Sequence, residues 1–293
     1  MFSGCLTALV TPMKDGELDE RSLRKLLRAQ RAAGVSGVVP TGCTGEAATL
    51  TADERARVLA VCLEEVGDAM PVVPGTGTNS TRGTVELTLA AQRAGARGAL
   101  VITPYYNRPS PEGQYRHYRA VAEAAEIPIV LYNVPSRTGV NMLPETIARL
   151  AEIPRIVAVK EASGSLDQVS AILSLCDITV LSGDDPLTLP MLSVGAKGVV
   201  SVASNVVPRL VAEMVGAYPG DPAKAAELHA RLWPIARALF VEANPGPVKH
   251  AMAALGLIES GELRPPLAEV TAESRQRMAR GIDLMREALG GGA

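Results

Sequence analysis

Short apolar runs rich in β-branched residues alternate along this chain with longer segments whose apolar positions recur every three or four residues. The short runs are CLTALVT (5–11), GVVPTG (37–42), PVVPGT (71–76), GALVIT (98–103), IPIVLYN (127–133), RIVAVKE (155–161), ITVLSGD (178–184) and KGVVSV (197–202). Between them lie DERSLRKLLRAQRAAG (19–34), TADERARVLAVCLEEVG (51–67) and STRGTVELTLAAQRAGA (80–96), which carry the period of amphipathic helices. Thr51 ahead of Glu54 and Ser80 at the head of its segment read as N-caps, and Gly34, Gly67 and Gly95 as stops. Near-continuous apolar strands need cover on both faces, which implies a parallel sheet clothed in helices. Eight such units are the number that closes a (β/α)8 TIM barrel. A doubly wound open sheet is the other arrangement of this pattern. Its dinucleotide turn is missing, because GTGTNS (75–80) has the first two glycines of GxGxxG and lacks the third.

Beyond about residue 205 the pattern turns to helix alone, in VPRLVAEMVGAY, AKAAELHARLWPIARALFVE, GPVKHAMAALGL and SRQRMARGIDLMREALG. The expected organisation is a catalytic barrel over 1–224 and a C-terminal helical extension, 225–293, packed on it. A length of 293 residues suits one barrel with such an appendage.

The composition narrows the function classes. Twenty-nine basic against thirty-one acidic residues give a net charge of −2, without a basic stripe interleaved with aromatics, so nucleic acid is not an expected partner. No run approaches the roughly 18 apolar residues of a membrane span, and the N-terminus lacks a basic n-region and soon reaches Pro12 and Lys14. No membrane partner is expected, and the location expected is cytoplasmic. Cys5, Cys43, Cys62 and Cys176 form no CxxC and have no histidines clustered near them, so neither a metal site nor a disulfide framework is indicated. His117, His229 and His250 fall in helical stretches without a Ser/His/Asp or HExxH arrangement.

In a barrel of this kind the reactive groups sit where strands end. The sixth run closes on Lys160, at the edge of an apolar interior. Burial there lowers an ammonium pKa and frees a nucleophile for a carbonyl; the competing reading is a rim lysine that pairs with an acid such as Glu161. The fifth run closes on Tyr132, one βα unit earlier, whose phenol can pass protons to and from a carbinolamine or simply pack with a wet tip. TGCTGEAATL (41–50) places Cys43 and Thr44 between glycines, which suits either a small-anion nest or an ordinary βα turn. Arg137, on the loop after the fifth run, can clamp a carboxylate or remain a surface arginine. Of the adjacent tyrosines in TPYYNRP (103–109), at most one can reach the same pocket.

Taken together, GCTGEAATL, TPYYNRPSPEGQYRHY, YNVPSRTGVNMLPET, VAVKEASG, LSGDD and NPGPVK, in this order from residue 1 to about 267, resemble the dihydrodipicolinate synthase and N-acetylneuraminate lyase superfamily. The resemblance implies a class I Schiff-base enzyme in which Lys160 forms an imine with pyruvate and Tyr132 transfers protons. It further implies that Thr44 holds the pyruvate carboxylate and that Gly183 and Val200 line the pocket through their backbone. Tyr106 matches a relay tyrosine contributed by a neighbouring subunit, and Cys43 stands where the relay carries a threonine. Arg137 matches the arginine that grips the carboxylate of aspartate semialdehyde, a co-substrate whose condensation with pyruvate gives 4-hydroxy-tetrahydrodipicolinate in the biosynthesis of diaminopimelate and lysine. No metal or organic cofactor is implied, and the assembly implied is a homodimer or a dimer of dimers. Two other readings stay open: another class I pyruvate aldolase, cleaving a 2-keto-3-deoxy sugar acid or 4-hydroxy-2-oxoglutarate, and a non-catalytic keto-acid-binding member.

Overall fold

A computed structural model describes residues 2–290. Its strands are β1 (Gly4–Ala8), β2 (Met13–Lys14), β3 (Glu17–Leu18), β4 (Gly37–Val39), β5 (Ala99–Ile102), β6 (Ile129–Asn133), β7 (Ile156–Glu161), β8 (Thr179–Ser182) and β9 (Gly198–Ser201). The helices are α1 (Glu20–Ala32), α2 (Ala52–Val66), α3 (Thr81–Ala94), α4 (Pro111–Ala124), α5 (Pro135–Thr138), α6 (Pro144–Ala151), α7 (Leu166–Leu175), α8 (Thr188–Ser193), α9 (Pro208–Ala217), α10 (Pro222–Ala238), α11 (Gly246–Ala254) and α12 (Ala272–Gly290).

Seven parallel strands form one sheet in the order β4-β1-β9-β8-β7-β6-β5, with the unexpected antiparallel hairpin β2-β3 beside it. The eighth stave is the segment 71–76. It forms only isolated parallel bridges, Val38 to Val72 on one side and Gly75 to Leu100 on the other. Val38 N donates to Pro71 O at 3.0 Å and Leu100 N to Pro74 O at 2.9 Å, so the segment spans the gap between β4 and β5 and completes the (β/α)8 barrel. Eight regular strands were expected from the sequence; Pro71 and Pro74 have no N–H to donate, and the ladder at the third stave is intermittent for that reason.

Local signals act as read. Thr51 and Glu54 close a reciprocal capping box on α2, the Ser80 side chain accepts from Gly83 N at the start of α3, and Gly95 ends α3 at φ 98°. Along β6 and β7 the two-residue period separates two environments. Ile129, Leu131 and Val159 face outward into a cluster with Tyr118, Ile147, Leu150 and Ile172 of the covering helices, while Val130, Tyr132 and Ala158 point the other way and belong to a separate cluster. Each such buried aliphatic side chain stabilises the fold by about 1.5–3 kcal/mol relative to exposure. The same parity sends Tyr132 and Lys160 inward at the ends of their strands. It turns Asn133 and Glu161 outward, where Asn133 Nδ2 donates to Glu161 Oε2 at 3.0 Å. After α9 the chain continues as helices, and α10 packs on α9 and α12. α10 begins at Pro222, behind an Asp221 cap, and so crosses the boundary expected at 224/225.

Candidate active site

β6 and β7 run in parallel with Tyr132 in register with Lys160, which brings the two inward-facing side chains together at the barrel mouth. The Lys160 Nζ lies 4.2 Å from the centroid of the Tyr132 ring. Tyr132 is fixed through its carbonyl, which accepts from both N and Oγ1 of Thr103 at 2.9 Å. The Lys160 ammonium is lowered from 10.5 to about 8, chiefly by burial, with Cys43 and Asp185 opposing the shift and Arg137 adding to it. Burial, with Cys43 beside it, pushes the Tyr132 phenol well above its ordinary value, against a partial pull from Arg137. The pair is therefore a lysine that shares its proton readily beside a tyrosine that keeps its own.

Glu161 is not the partner of Lys160. Its carboxylate accepts from Ser163 N at 2.6 Å, Asn133 Nδ2 at 3.0 Å and Gln168 Nε2 at 3.2 Å, a network on the outer side of the strand that ties the loops after β6 and β7 together. Gly183 presses against the lysine stem: a Cβ at this position would lie 3.1 Å from Lys160 Cε and 2.7 Å from Ala162 Cβ, so no side chain fits without displacing the nucleophile. Asp185, fully enclosed, accepts from Val202 N at 2.9 Å and Ala203 N at 3.1 Å and from the Ser201 hydroxyl, which fixes the turn after β9.

A cavity of about 310 Å³ opens at the mouth, and Cys43, Tyr105, Tyr132 and Arg137 are among its lining residues. Thr44, Lys160, Gly183 and Val200 are not in that lining; Val200 is enclosed in β9, in register with Leu6. Around Thr44 the backbone turns sharply, and Gly45 N and Ala47 N both donate to Gly42 O while Glu46 N donates to Cys43 O. Among the described residues, neither Cys43 N nor Thr44 N donates to a protein acceptor, which leaves two adjacent amides for an anion. Arg137 sits on the one-turn helix α5, started by Pro135 and ended by Gly139 at φ 74°. Of the two adjacent tyrosines, Tyr105 reaches the cavity, while Tyr106 is 89% exposed at φ 71° and stands away from it.

The sequence reading singled out neither Glu46 nor Asn244, both in the cavity lining. Asn244 lines the cavity, donates from Nδ2 to Thr44 Oγ1 at 2.9 Å, and accepts at its main-chain oxygen from Arg137 Nη2 at 3.1 Å. Its Oδ1 is buried without a partner among the described residues. It lies in the NPGPVK stretch, whose polar residue between apolar neighbours was the available signal. Among the described residues no group of three or more His, Cys, Asp or Glu side chains is placed to hold a metal ion.

A model of the dihydrodipicolinate synthetase family matches residues 1–284. The chain belongs to that family. A 4-hydroxy-tetrahydrodipicolinate synthase of Syntrophus aciditrophicus (strain SB) is 51% identical over 283 residues, covering 96% of this chain and 97% of the relative. Among solved structures, the 4-hydroxy-tetrahydrodipicolinate synthase of the thermoacidophilic methanotroph Methylacidiphilum fumariolicum SolV superposes with a TM-score of 0.97 at 42% identity, over 99% of this chain and 98% of that one. The dihydrodipicolinate synthase of Acinetobacter baumannii complexed with pyruvate matches with a TM-score of 0.95 at 39% identity, over 98% and 99% of the two chains.

Proposed function

We propose that this enzyme is a 4-hydroxy-tetrahydrodipicolinate synthase that condenses pyruvate with L-aspartate 4-semialdehyde through a Schiff base on Lys160. The observation that carries the reading is the register of Tyr132 with Lys160, with the ammonium lowered by burial to about 8. The pyruvate complex of the Acinetobacter baumannii relative supports the first substrate, and the names of the relatives support the product.

The neutral amine of Lys160 attacks the keto carbon, and the carbinolamine loses water to give an iminium. Tyr132 supplies and recovers the protons of these steps. The iminium withdraws electrons from the adjacent methyl group, which loses a proton and becomes an enamine carbon. That carbon adds to the aldehyde, and the amino group of the second substrate then displaces Lys160 as the product ring closes. The free amides of Cys43 and Thr44 suit the pyruvate carboxylate, Arg137 suits the carboxylate of the aldehyde, and Gly183 admits the lysine stem where any side chain would displace it. We assign the chemistry to the barrel, 1–224, and read 225–293 as the extension packed on it.

Tyr106 does not reach its own site, and its exposed phenol suits the site of a second copy, in a homodimer or dimer of dimers. No helix among the described residues is long and apolar enough to cross a membrane, and we infer a cytoplasmic enzyme. The test is intact-mass spectrometry after incubation with pyruvate and borohydride, followed by a coupled assay with aspartate semialdehyde. Wild-type protein is expected to gain one reduced pyruvyl adduct and to turn over, and Lys160→Ala to do neither. An adduct without turnover would reassign the second substrate.

A further inference from the structure

The loop 41–49 brings Cys43 to the cavity with Thr44 beside it, and its anchor comes from the far end of the chain. Glu46 and Lys249, 203 residues apart, form an ion pair whose side chains are 0% exposed. Lys249 Nζ donates to Glu46 Oε1 at 2.6 Å and to Thr11 O at 3.0 Å; Glu46 Oε2 accepts from Arg264 N at 2.9 Å. Arg264 also donates to Thr49 O at 3.3 Å, at the end of the same loop. Thr11 Oγ1 donates to Gly45 O at 2.8 Å. A Cβ at Gly45 would lie 3.0 Å from Thr41 N and 3.1 Å from Leu9 O, so the loop is pressed against the segment that follows β1 with no room to spare. Glu46 itself adopts φ 55°, a conformation that a non-glycine residue holds only when its surroundings impose it. Ahead of α11, Asn244 reaches Thr44, and within α11, Lys249 reaches Glu46. Both contacts fall within the turn that leaves the Cys43 and Thr44 amides free.

We propose that Glu46 and Lys249 are positioning residues: their buried ion pair locks the 41–49 loop onto α11 in the one geometry that presents Cys43 and Thr44 to the pyruvate carboxylate. The C-terminal extension is thereby part of the pyruvate site, although it contributes no reacting group. A buried pair is a poor device for stability alone, because two desolvated charges return little over an apolar filling of the same volume. What it supplies is a fixed distance and direction, and a displacement of about 1 Å at a substrate-orienting group costs about 100-fold.

The proposal rests on pyruvate as the first substrate, and its test separates the two. Borohydride trapping at Lys160 is measured against pyruvate concentration for wild type, Glu46→Gln, Lys249→Met and the double variant, with steady-state constants for both substrates and a thermal melt. The single variants are expected to raise the pyruvate concentration for half-trapping by about 100-fold. The KM of the aldehyde, held from Arg137, is expected to stay unchanged. The double variant, without either charge, is expected to regain its melting temperature and not its affinity for pyruvate. A melt that falls while half-trapping stays at the wild-type concentration would overturn the positioning role. Should Lys249→Met not fold, Glu46→Gln decides, because it keeps the side-chain volume and an acceptor for Arg264 N. Absence of an adduct in wild-type protein overturns the pyruvate reading and this proposal with it; an adduct with unchanged half-trapping in the variants overturns this proposal alone.

Discussion

Lys160 and Lys249 are both enclosed, at 5% and 0% exposure, and burial lowers both ammonium groups from the ordinary lysine value, but the two regions give them different neighbours. At the end of β7, Lys160 has the face of an aromatic ring as its neighbour and, among the described residues, no carboxylate within ion-pair distance. In α11, Lys249 has the Glu46 carboxylate at 2.6 Å and a backbone carbonyl at 3.0 Å. Without a paired carboxylate, burial leaves an ammonium that sheds its proton readily and can serve as a nucleophile; at Lys249 the Glu46 carboxylate opposes the same burial and ties the side chain down as a strut. Counter-charge, and not depth of burial, separates the two roles.

The sharpest way to break this comparison is to replace each lysine by methionine and measure stability by denaturant unfolding at pH 7. Lys249→Met leaves Glu46 buried and unpaired, and about 3–5 kcal/mol of stability should be lost. Lys160→Met should move the other way. The folded-state value of Lys160, about 8, lies below the unfolded one, so its charge is penalised in the folded protein at every pH below about 8. Removing it should gain at most about 3 kcal/mol at pH 7. The gain should fade as pH rises from about 8 through the unfolded value near 10.4, above which the lysine is neutral in both states. Losses of equal size in both variants would mean that the two sites do not differ as argued.

A smaller effect sharpens the role of Lys160 alone. If the neutral amine attacks pyruvate, kcat/KM for pyruvate should fall tenfold per pH unit below an acid limb near 8. Tyr132, held protonated by burial, should not add a limb of its own below that point. A limb well above 8 would show that the lysine is less desolvated than its enclosure indicates, and one near 6 that another group governs the step.

How far the sequence could be read follows from the range of the forces involved. Local ones were legible: the helical period, the Thr51–Glu54 capping box and the inward parity of Tyr132 and Lys160 all depend on neighbours within a few residues. The third stave was misread as a regular strand because its apolar character outweighed its two prolines, whose missing N–H groups decide the ladder. Asn244, Glu46 and Lys249 escaped because their meaning lies in contacts some 200 residues away in the chain. Lys249 did leave a trace, as a lone cation in the apolar run GPVKHAMAALGL, where a charge that cannot reach water requires a partner. The sequence names no such partner, since Glu46 lies 203 residues away in a glycine-rich stretch.

The smallest effect concerns the group between the two regions. Cys43 belongs to the loop that the strut holds, and its thiol faces the Tyr132 phenol next to Lys160. A thiol is a weaker and longer hydrogen-bonding group than a hydroxyl. Cys43→Thr should therefore tighten proton transfer through Tyr132, raising kcat by about two- to tenfold, the worth of one ordinary hydrogen bond of 0.5–1.5 kcal/mol. The pyruvate concentration for half-trapping should not move, because the backbone amides that suit the carboxylate keep their places in the locked loop. A change in half-trapping without a change in kcat would assign Cys43 to the anion site that the strut positions, and would remove it from the path of the proton.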